Sequence, residues 1–272
     1  MTLPSLAFIG GGNMASAVIG GLVRSGTPGN SVLVIEPFEA QREKLSAEFG
    51  VQAQPAADGA LAHASLVVWA VKPQSFREAA QAVAPHGRQA LQLSVMAGIR
   101  SDAIAQVMGT DRVVRAMPNT PALIGQGITG LFGRAAVNEI ERLQVERVLA
   151  PTGSILWVTQ ESDLDAVTAL SGSGPAYVFY FIEAMVAAAE RMGLSAEQGK
   201  TLALATFAGA TELARRSDES PAVLRERVTS KGGTTYAALS ALDQAGVQAT
   251  FIAALQAAQH RAKELGDEYG TA

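Results

Sequence analysis

The sequence predicts an α/β fold in its first half and an all-α fold in its second half. Up to about residue 160, short apolar runs rich in β-branched residues alternate with amphipathic segments of helical period. Continuous apolar strands separated by helices indicate a parallel sheet with both faces covered, that is, a doubly wound sheet. From Asp163 onward the segments have helical period and none is typical of a strand. We therefore expect an N-terminal domain over 1–162 and a C-terminal domain over 163–272.

Composition narrows the class of protein. A chain of 272 residues is long enough for two domains, and 48% hydrophobic with 17% charged residues indicates a large core. The net charge of −4 argues against a nucleic-acid partner. The chain has no cysteine and three scattered histidines, so we expect neither disulfides nor a metal site.

The apolar segments do not predict membrane association. The N-terminus lacks the basic region of a signal peptide, and the most apolar later segment, 174–193, is interrupted by Glu183. We expect that segment to be a buried helix and the protein to be cytoplasmic. Apolar residues surround most of the helix at 176–190, more than a one-sided surface helix needs. This pattern predicts a homo-oligomer, at least a dimer, assembled through the second domain.

The secondary structure follows from the apolar periodicity. Strands are predicted at 6–10, 31–36, 65–71, 90–95, 112–117, 127–133 and 154–158. Helices are predicted between them at about 13–25, 40–50, 75–86, 101–109 and 138–150. The second half contains helical segments within 163–193, 195–216, 220–230 and 246–266.

A glycine turn follows the first predicted strand and opens a helix. It contains Gly10, Gly12 and Ala15 in the spacing G-x-G-x-x-A, which suits a tight turn, close backbone approach to a pyrophosphate and close helix packing. The helix N-terminus supplies free N–H groups for the phosphates. This context predicts a Rossmann-like domain that binds NADH or NADPH, and the alternative is a structural turn without a ligand. The predicted contacts in the turn are Gly10, Gly11, Gly12, Asn13 and Met14.

An acidic residue at the end of the second strand bears on the choice of cofactor. Glu36 follows Gly12 by 24 residues, close to the spacing expected of a ribose-binding carboxylate. A carboxylate there accepts hydrogen bonds from a free ribose 2′-hydroxyl and repels a 2′-phosphate, which favours NADH. In the alternative interpretation Glu36 points to solvent and leaves Arg42 free to meet a phosphate.

Two further loops lie at the predicted carboxyl edge of the sheet, where doubly wound folds bind ligands. Pro73 ends the third predicted strand, and Lys72 before it is either a ribose contact or an ordinary loop lysine. The residues that follow the strand at 90–95 reach the same edge. The cofactor contacts predicted from these loops are Ala70, Val71, Lys72, Pro73, Met96 and Ala97.

A Gly-Gly-Thr-Thr stretch precedes a helical pattern near the end of the chain. Gly232 and Gly233 come directly before a predicted first turn that starts at Thr234. In one interpretation, successive glycine N–H groups converge on an anion at the helix N-terminus. In the other, Thr234 or Thr235 caps the helix and the glycines form a loop.

Taken in order, these motifs resemble the pyrroline-5-carboxylate reductase family over nearly the whole chain. They are FIGGGNMA (8–15), AVKPQ (70–74), MPNTP (117–121), DAVTALSGSGPAY (165–177) and VTSKGGTTYAAL (228–239), of which the last two are the most specific. The resemblance implies a Rossmann-like domain followed by a helical dimerisation domain that interlocks with a partner subunit, often in decamers of five dimers. It also implies reduction of L-1-pyrroline-5-carboxylate to L-proline by NADH or NADPH.

The resemblance also implies roles for particular residues. Ser230, Gly233 and Thr234 are expected to hold the substrate carboxylate, with Gly232 in the same binding stretch. Thr235 is expected to hydrogen-bond the ring nitrogen and is the predicted catalytic residue, while Glu161 matches a residue close to the substrate. No metal is needed, because the cofactor supplies the hydride.

Two rival functions are distinguished by particular residues. The β-hydroxyacid dehydrogenases place a lysine one helical turn after a G-x-G in the second domain. Here Val178 occupies that position after Gly172-Ser173-Gly174, so the rival lacks its catalytic residue. The other rival, an NAD(P)-binding protein without turnover, has no need of a second anion site at Gly232–Thr235.

Overall fold

The computed structural model describes residues 5–270, which form two compact units. The first contains the residues up to Ser173 together with the end of the last helix from Ala258 onward, and the second is Gly174–Ala257. The units therefore divide at 173/174, whereas the sequence places a domain boundary near residue 162. The end of the last helix belongs to the first unit, although it is far in sequence from the other residues of that unit. No local sequence pattern indicates this grouping. The division into domains over 1–162 and 163–272 stays a prediction.

The first unit is built on a sheet of eight strands in the order β3-β2-β1-β4-β5-β6-β7-β8. The strand order reverses between β1 and β4, and this switch point is where doubly wound sheets bind ligands. The strands are β1 Leu6–Ile9, β2 Val32–Ile35, β3 Gln52–Gln54, β4 Leu66–Trp69, β5 Leu91–Ser94, β6 Val113–Met117, β7 Gly127–Gly133 and β8 Gly153–Trp157. The helices are α1 Asn13–Arg24, α2 Glu39–Phe49, α3 Phe76–Gly87, α4 Ser101–Met108, α5 Glu139–Leu149 and α6 Asp163–Val167, with a π-helical turn at Thr168–Gly172.

The predicted doubly wound core is confirmed. Leu6 and Phe8 of β1 belong to one apolar cluster, which includes residues of α1, α2 and α5. Ala7 and Ile9 face the other way into a second cluster with residues of α3 and α4. Alternate side chains of a strand point to opposite faces, so β1 is buried on both faces between two helical layers.

Two features of the sheet differ from the prediction. Strand β3 was not predicted, because three residues of the sequence Gln-Ala-Gln carry no apolar signal. Strand β7 runs antiparallel to β6, which departs from an all-parallel sheet. The connection from Met117 to Gly127 holds one short 3-10 helix, Thr120–Ile124. A parallel crossover needs about a dozen residues or more, so this short connection reverses the strand direction.

The second unit is helical, as predicted. It contains α7 Gly174–Arg191, α8 Ala196–Arg216, α9 Pro221–Arg227, α10 Thr234–Gln244 and the first turns of α11, Val247–Gly270. Helices α7 and α8 approach closely at Gly199, where an added Cβ would lie 2.7 Å from the Cβ of Ala189. Tyr177 and Phe181 of α7 make edge-to-face contacts with Phe251 of α11, with ring centroids 5.8 and 5.7 Å apart.

The expectation that α7 is a buried helix is wrong for a single chain. Phe179 and Tyr180 are 59% and 68% exposed, and Ala189 is the buried residue of the helix. The large exposed aromatic side chains leave this helix without a cover in one chain. Among residues 5–270, no helix is long and apolar enough to span a bilayer.

Candidate cofactor and substrate sites

The glycine turn after β1 is fixed against its neighbouring strands. Gly10 has φ 91°, a left-handed conformation that favours glycine, and its N–H donates to the carbonyl of Ile35 at 2.8 Å. A Cβ added at Gly10 would lie 2.8 Å from the carbonyl oxygen of Ala70 and 3.0 Å from Cγ1 of Val71. The turn therefore lies between the ends of β2 and β4, at the switch point.

The space beside Gly12 fits a phosphate group. Gly12 is the N-cap of α1, has extended backbone and makes no side-chain cap, and a Cβ added there would meet nothing within 4 Å. The first-turn N–H groups of a helix have no partner inside it. The amides at Asn13 and Met14 thus border an open space at the positive end of α1, as a bound pyrophosphate requires.

Glu36 faces the glycine turn rather than solvent. It is 7% exposed, and its Oε2 accepts the N–H of Gly11 at 2.8 Å while Oε1 accepts the N–H of Phe38 at 3.0 Å. Nη1 of Arg42 donates to the carbonyl oxygens of Glu36 and Pro37 at 2.9 and 2.7 Å. The alternative with an outward-pointing Glu36 and a free Arg42 is wrong. The carboxylate lies directly after β2, beside the glycine turn, and its contact with a ribose stays a prediction.

The loops after β4 and β5 place the remaining predicted cofactor residues. Lys72 is exposed and N-caps the 3-10 helix Pro73–Ser75. The side chain of Met96 is 3% exposed and belongs to the core, and its N–H donates to Oγ of Ser94 at 3.3 Å. Only backbone atoms of Met96 are therefore in a position to meet a cofactor, whereas Ala97 is exposed.

Glu161 accepts hydrogen bonds from two residues, Ser101 and Arg115, that no sequence pattern connects with it. Its Oε1 accepts the N–H of Ser101 at 2.7 Å and Nη1 of Arg115 at 2.8 Å, and its Oε2 accepts Oγ of Ser101 at 2.5 Å. This carboxylate thereby holds the N-terminus of α4. The predicted contact of Glu161 with substrate stays a prediction, and the observed geometry gives the side chain a different role.

Another carboxylate, on α6, is buried. Asp165 is 9% exposed, and its Oδ2 lies 3.7 Å from Nη1 of Arg100. Burial raises the pKa of the Asp165 carboxyl above its ordinary value, against the opposite effect of Arg100 and Arg115. No local pattern indicates this pairing, because Arg100 and Asp165 are distant in the sequence.

The Gly-Gly-Thr-Thr stretch begins α10 without a threonine cap. Gly233 is the N-cap and no side chain caps the helix, so the interpretation of Thr234 or Thr235 as the cap is wrong. Gly232 has φ 79°, and the N–H of Gly233 donates to the carbonyl of Ser230 at 3.0 Å. The amide of Gly233 is thus used by the turn. The unpaired first-turn N–H groups include those of Thr234 and Thr235.

Together, the residues of this helix start form a compact loop. A Cβ added at Gly233 would lie 2.8 Å from Oγ of Ser230, so a larger residue would displace that hydroxyl. The arrangement brings Ser230, Gly232, Gly233, Thr234 and Thr235 together in the second unit, whereas the predicted cofactor contacts lie in the first.

The fold and the glycine turn define the class of protein. A doubly wound sheet with a glycine turn at its switch point and a buried acidic residue after β2 is a Rossmann-like dinucleotide-binding domain, as in nicotinamide-dependent oxidoreductases. Residues 5–98 match a family model described as NADP oxidoreductase coenzyme F420-dependent. Residues 161–265 match a model described as pyrroline-5-carboxylate reductase dimerisation.

Full-length relatives specify the family. A pyrroline-5-carboxylate reductase from Pseudomonas aeruginosa is 42% identical, over 99% of this chain and 100% of its own length. The structure of a pyrroline-5-carboxylate reductase from Coxiella burnetii is 34% identical with a TM-score of 0.90, covering 97% of this chain and 99% of that one. A Plasmodium falciparum pyrroline carboxylate reductase with NADP bound is 28% identical with a TM-score of 0.86, covering 97% and 98%. The chain belongs to the pyrroline-5-carboxylate reductase family, which confirms the resemblance found in the sequence.

Proposed function

We propose that this chain reduces L-1-pyrroline-5-carboxylate to L-proline with NADH or NADPH, the last step of proline biosynthesis. The observation that carries the proposal is the 42% identity to a reductase of this name over 99% of the chain. When bound, the reduced nicotinamide supplies the hydride for the imine carbon, and the ring nitrogen ends with a proton. The protein is then required to bind, orient and shield the reactants.

In the first unit, the open space at Gly12 and the start of α1 receive the pyrophosphate. The carboxylate of Glu36 accepts hydrogen bonds from the adenosine ribose. Because Glu36 is buried and fixed by the N–H of Gly11, it has little freedom to move away from a 2′-phosphate. We therefore expect measurable use of NADH, with discrimination against NADPH.

In the second unit, the start of α10 receives the substrate carboxylate. The first-turn amides of Thr234 and Thr235, with Oγ of Ser230, donate to this anion, and the helix N-terminus adds a favourable field. Gly232 and Gly233 let the backbone turn tightly enough for this approach. The hydroxyl of Thr235 orients the ring nitrogen. A threonine hydroxyl has a high pKa, so a substrate that is already protonated in solution needs orientation more than a proton donor.

The chain acts as a homo-oligomer, at least a dimer, assembled through its helical unit. The exposed aromatic residues of α7 support this proposal, as does the match of residues 161–265 to a dimerisation model. We further propose the decamer of five dimers that is common in the family. The cytoplasmic location stays a prediction.

The direct test is oxidation of the reduced cofactor by the purified chain. Adding pyrroline-5-carboxylate to enzyme with NADH or NADPH is expected to oxidise the cofactor and to yield an equal amount of proline by amino-acid analysis. Cofactor binding without oxidation would identify the non-catalytic rival. In a separate assay with the oxidised cofactor, reduction of NAD⁺ or NADP⁺ by a β-hydroxyacid would identify the dehydrogenase rival, which Val178 already disfavours.

Replacing Thr235 tests the substrate end of the proposal. Thr235→Ala is expected to lower kcat by about 10- to 10⁴-fold, the upper part of the range implying acid catalysis. The affinity for NADH, measured by fluorescence titration, should not change. Thr211→Ala on the exposed surface of α8 is the matched control and should retain full kcat. A Thr235→Ala variant with normal kcat would remove Thr235 from the active site.

A further inference from the structure

The loop after β5 is packed against the end of the last helix. Gly98 has φ 75°, and a Cβ added there would lie 3.0 Å from Cδ2 of Tyr269 and 3.3 Å from the carbonyl oxygen of Leu265. A Cβ at this position would press tightly against α11, and the positive φ disfavours any residue with a side chain. The loop that carries Met96 and Ala97 is therefore in contact with residues more than 160 positions away in sequence, within the same unit.

Arg100, two residues further on, binds the same helix end and α6. Its Nη2 lies 3.2 Å from Oδ1 of Asp267 and 3.5 Å from the carbonyl oxygen of Lys263. Its Nη1 lies 3.7 Å from Oδ2 of Asp165. The guanidinium covers Gly266, where an added Cβ would lie 2.6 Å from Nη2. One planar group thus bridges two elements, as the fork of an arginine allows.

The neighbouring residue is fixed by a second carboxylate. Ser101 donates both its N–H and its Oγ to Glu161, which in turn is held by the buried Arg115. On the other side of the loop, the side chain of Met96 is anchored in the core. The exposed residue Ala97 consequently lies between two fixed points of the loop, and Arg100 supplies the contact to α11.

We propose that Arg100 is a positioning residue for cofactor binding. It holds the loop 96–99 in the conformation that meets the cofactor, by fixing that loop to α6 and to the last turns of α11. The inference rests on the proposed function for the identity of the cofactor. Without the arginine, the loop populates other conformations, and the apparent Kd rises as the binding-competent fraction falls.

The test compares cofactor affinity in two kinds of variant. One removes the guanidinium of Arg100, and the other fills the space over Gly266 that the guanidinium occupies. If Arg100→Ala leaves the loop competent in about a tenth of molecules, the Kd for NADH by fluorescence titration rises about tenfold. Arg100→Lys keeps the charge but not the fork, so we expect an intermediate Kd. Arg261→Ala, which removes exposed ion pairs with Glu264 and Glu268 from the same helix, is the control and should keep the wild-type Kd.

Gly266→Ala is a second test variant, and it changes no charge. Its methyl group would displace the guanidinium, so we expect the Kd to rise in the same direction, with KM for the cofactor increasing more than kcat falls. An unchanged Kd in folded Arg100→Ala, or full recovery in Arg100→Lys, would overturn the proposal, since the latter indicates only long-range charge. If Arg100→Ala fails to fold, the Kd of Gly266→Ala is decisive, and an unchanged Kd in that variant would overturn the proposal. A wild type that binds NADH but does not reduce pyrroline-5-carboxylate contradicts the proposed function alone, because Kd is measured without turnover.

Discussion

The two units of this chain bury their apolar residues to very different extents. In the first unit, the strands of the sheet are covered on both faces and side chains such as Phe8, Ile19 and Trp69 are fully buried. In the second unit, whose residues are all described, the buried apolar residues are Ala189 and Ala203. The first unit thus holds its own core, whereas the second has helices whose large apolar side chains face outward. A helix that is apolar on most of its surface needs a cover to be stable in water.

The same contrast separates the proposed roles. The glycine turn and Glu36 are built on a sheet that is buried on both faces within the first unit. The loop from Ser230 to Thr235 lies among helices with little core of their own. Substitutions in one unit should therefore change cofactor binding, and substitutions in the other should change assembly and substrate reduction.

The largest expected effect comes from a charge on the exposed face of α7. Tyr180→Glu places a carboxylate at a position that is 68% exposed in one chain and that we expect an interface to bury. A central aromatic residue contributes about 2 kcal/mol or more to binding. Because a two-fold interface carries the change twice, the dimer should weaken by about 10³-fold. Analytical ultracentrifugation measures this change.

The control for this variant introduces the same charge on the first unit. Gln81→Glu lies on the exposed side of α3 and should leave the oligomer intact. If Tyr180→Glu sediments as the wild type does, this face of α7 is not the interface, and the contrast between the units has another origin.

The next largest effect concerns the cofactor turn. Gly12→Val fills the open space beside the N-terminus of α1, where an added Cβ meets no protein atom within 4 Å. The fold should survive, but the side chain would occupy the place of the pyrophosphate. We expect NADH affinity to fall by about 100-fold or more, equivalent to about 2.7 kcal/mol, with the oligomer unchanged.

A valine at another glycine of the same unit is the control. It distinguishes crowding of the cofactor site from a general effect of valine on the protein. A Cβ added at Gly59 also meets nothing within 4 Å, and this glycine lies in the 3-10 helix before β4. Gly59→Val should bind NADH as the wild type does. Equal affinities for Gly12→Val and wild type would show that no phosphate lies at Gly12.

The sequence predicted those parts of the molecule whose signals are local. The strand, glycine turn and helix from Leu6 to Arg24 form as expected, because apolar run, glycine spacing and helical period are adjacent in the chain. The antiparallel direction of β7 was missed. Its cause is a connection between β6 and β7 that is too short for a parallel crossover, which the apolar pattern of the strands does not reveal.

Contacts between distant residues could not be predicted. Arg100 meets Asp267 across 167 positions, and Ser101 meets Glu161 across 60. Each of these residues is ordinary in its local sequence, and only the folded sheet brings them together. The burial of Glu36 belongs to the same category, since its spacing from Gly12 indicated a role but not its bond to Gly11.

The change in cofactor preference is expected to be smaller. It tests whether the carboxylate of Glu36 is fixed where it would repel a 2′-phosphate. Glu36→Ser removes a carboxylate that is fixed by the N–H groups of Gly11 and Phe38. We expect the ratio of kcat/KM for NADPH to that for NADH to rise by about tenfold or more, a change of about 1.4 kcal/mol, because repulsion of the 2′-phosphate is relieved.

The matched control removes a nearby carboxylate that does not face the turn. Glu39→Ser lies at an exposed position at the start of α2 and should leave the ratio unchanged. A wild type that already prefers NADPH strongly would mean that Glu36 does not act on the ribose.

The smallest expected effect is a pH dependence that arises from a charge buried in the first unit. Burial raises the pKa of Asp165 in the folded protein, and the charged groups that face it are Arg100, Arg115, Glu161 and Asp267. The unfolded chain therefore releases this proton at a lower pH than the folded protein does. Between the ordinary and the raised pKa the folded state binds more protons, so stability falls as pH rises through that window. The contribution is fully present below the ordinary pKa and absent above the raised one.

Asp165→Asn removes this titration. Its Tm relative to wild type should increase by about 2 °C as pH rises through the window just above the ordinary pKa of an aspartate. Scanning calorimetry at constant chain concentration measures the difference, since oligomer formation also shifts Tm. Asp243→Asn, an exposed position on α10, is the control and should follow the wild-type curve. A constant difference between Asp165→Asn and wild type across that window would mean that Arg100 and Arg115 fully offset the burial of this carboxylate. The ionisation of Asp165 would then make no pH-dependent contribution to the free energy of unfolding.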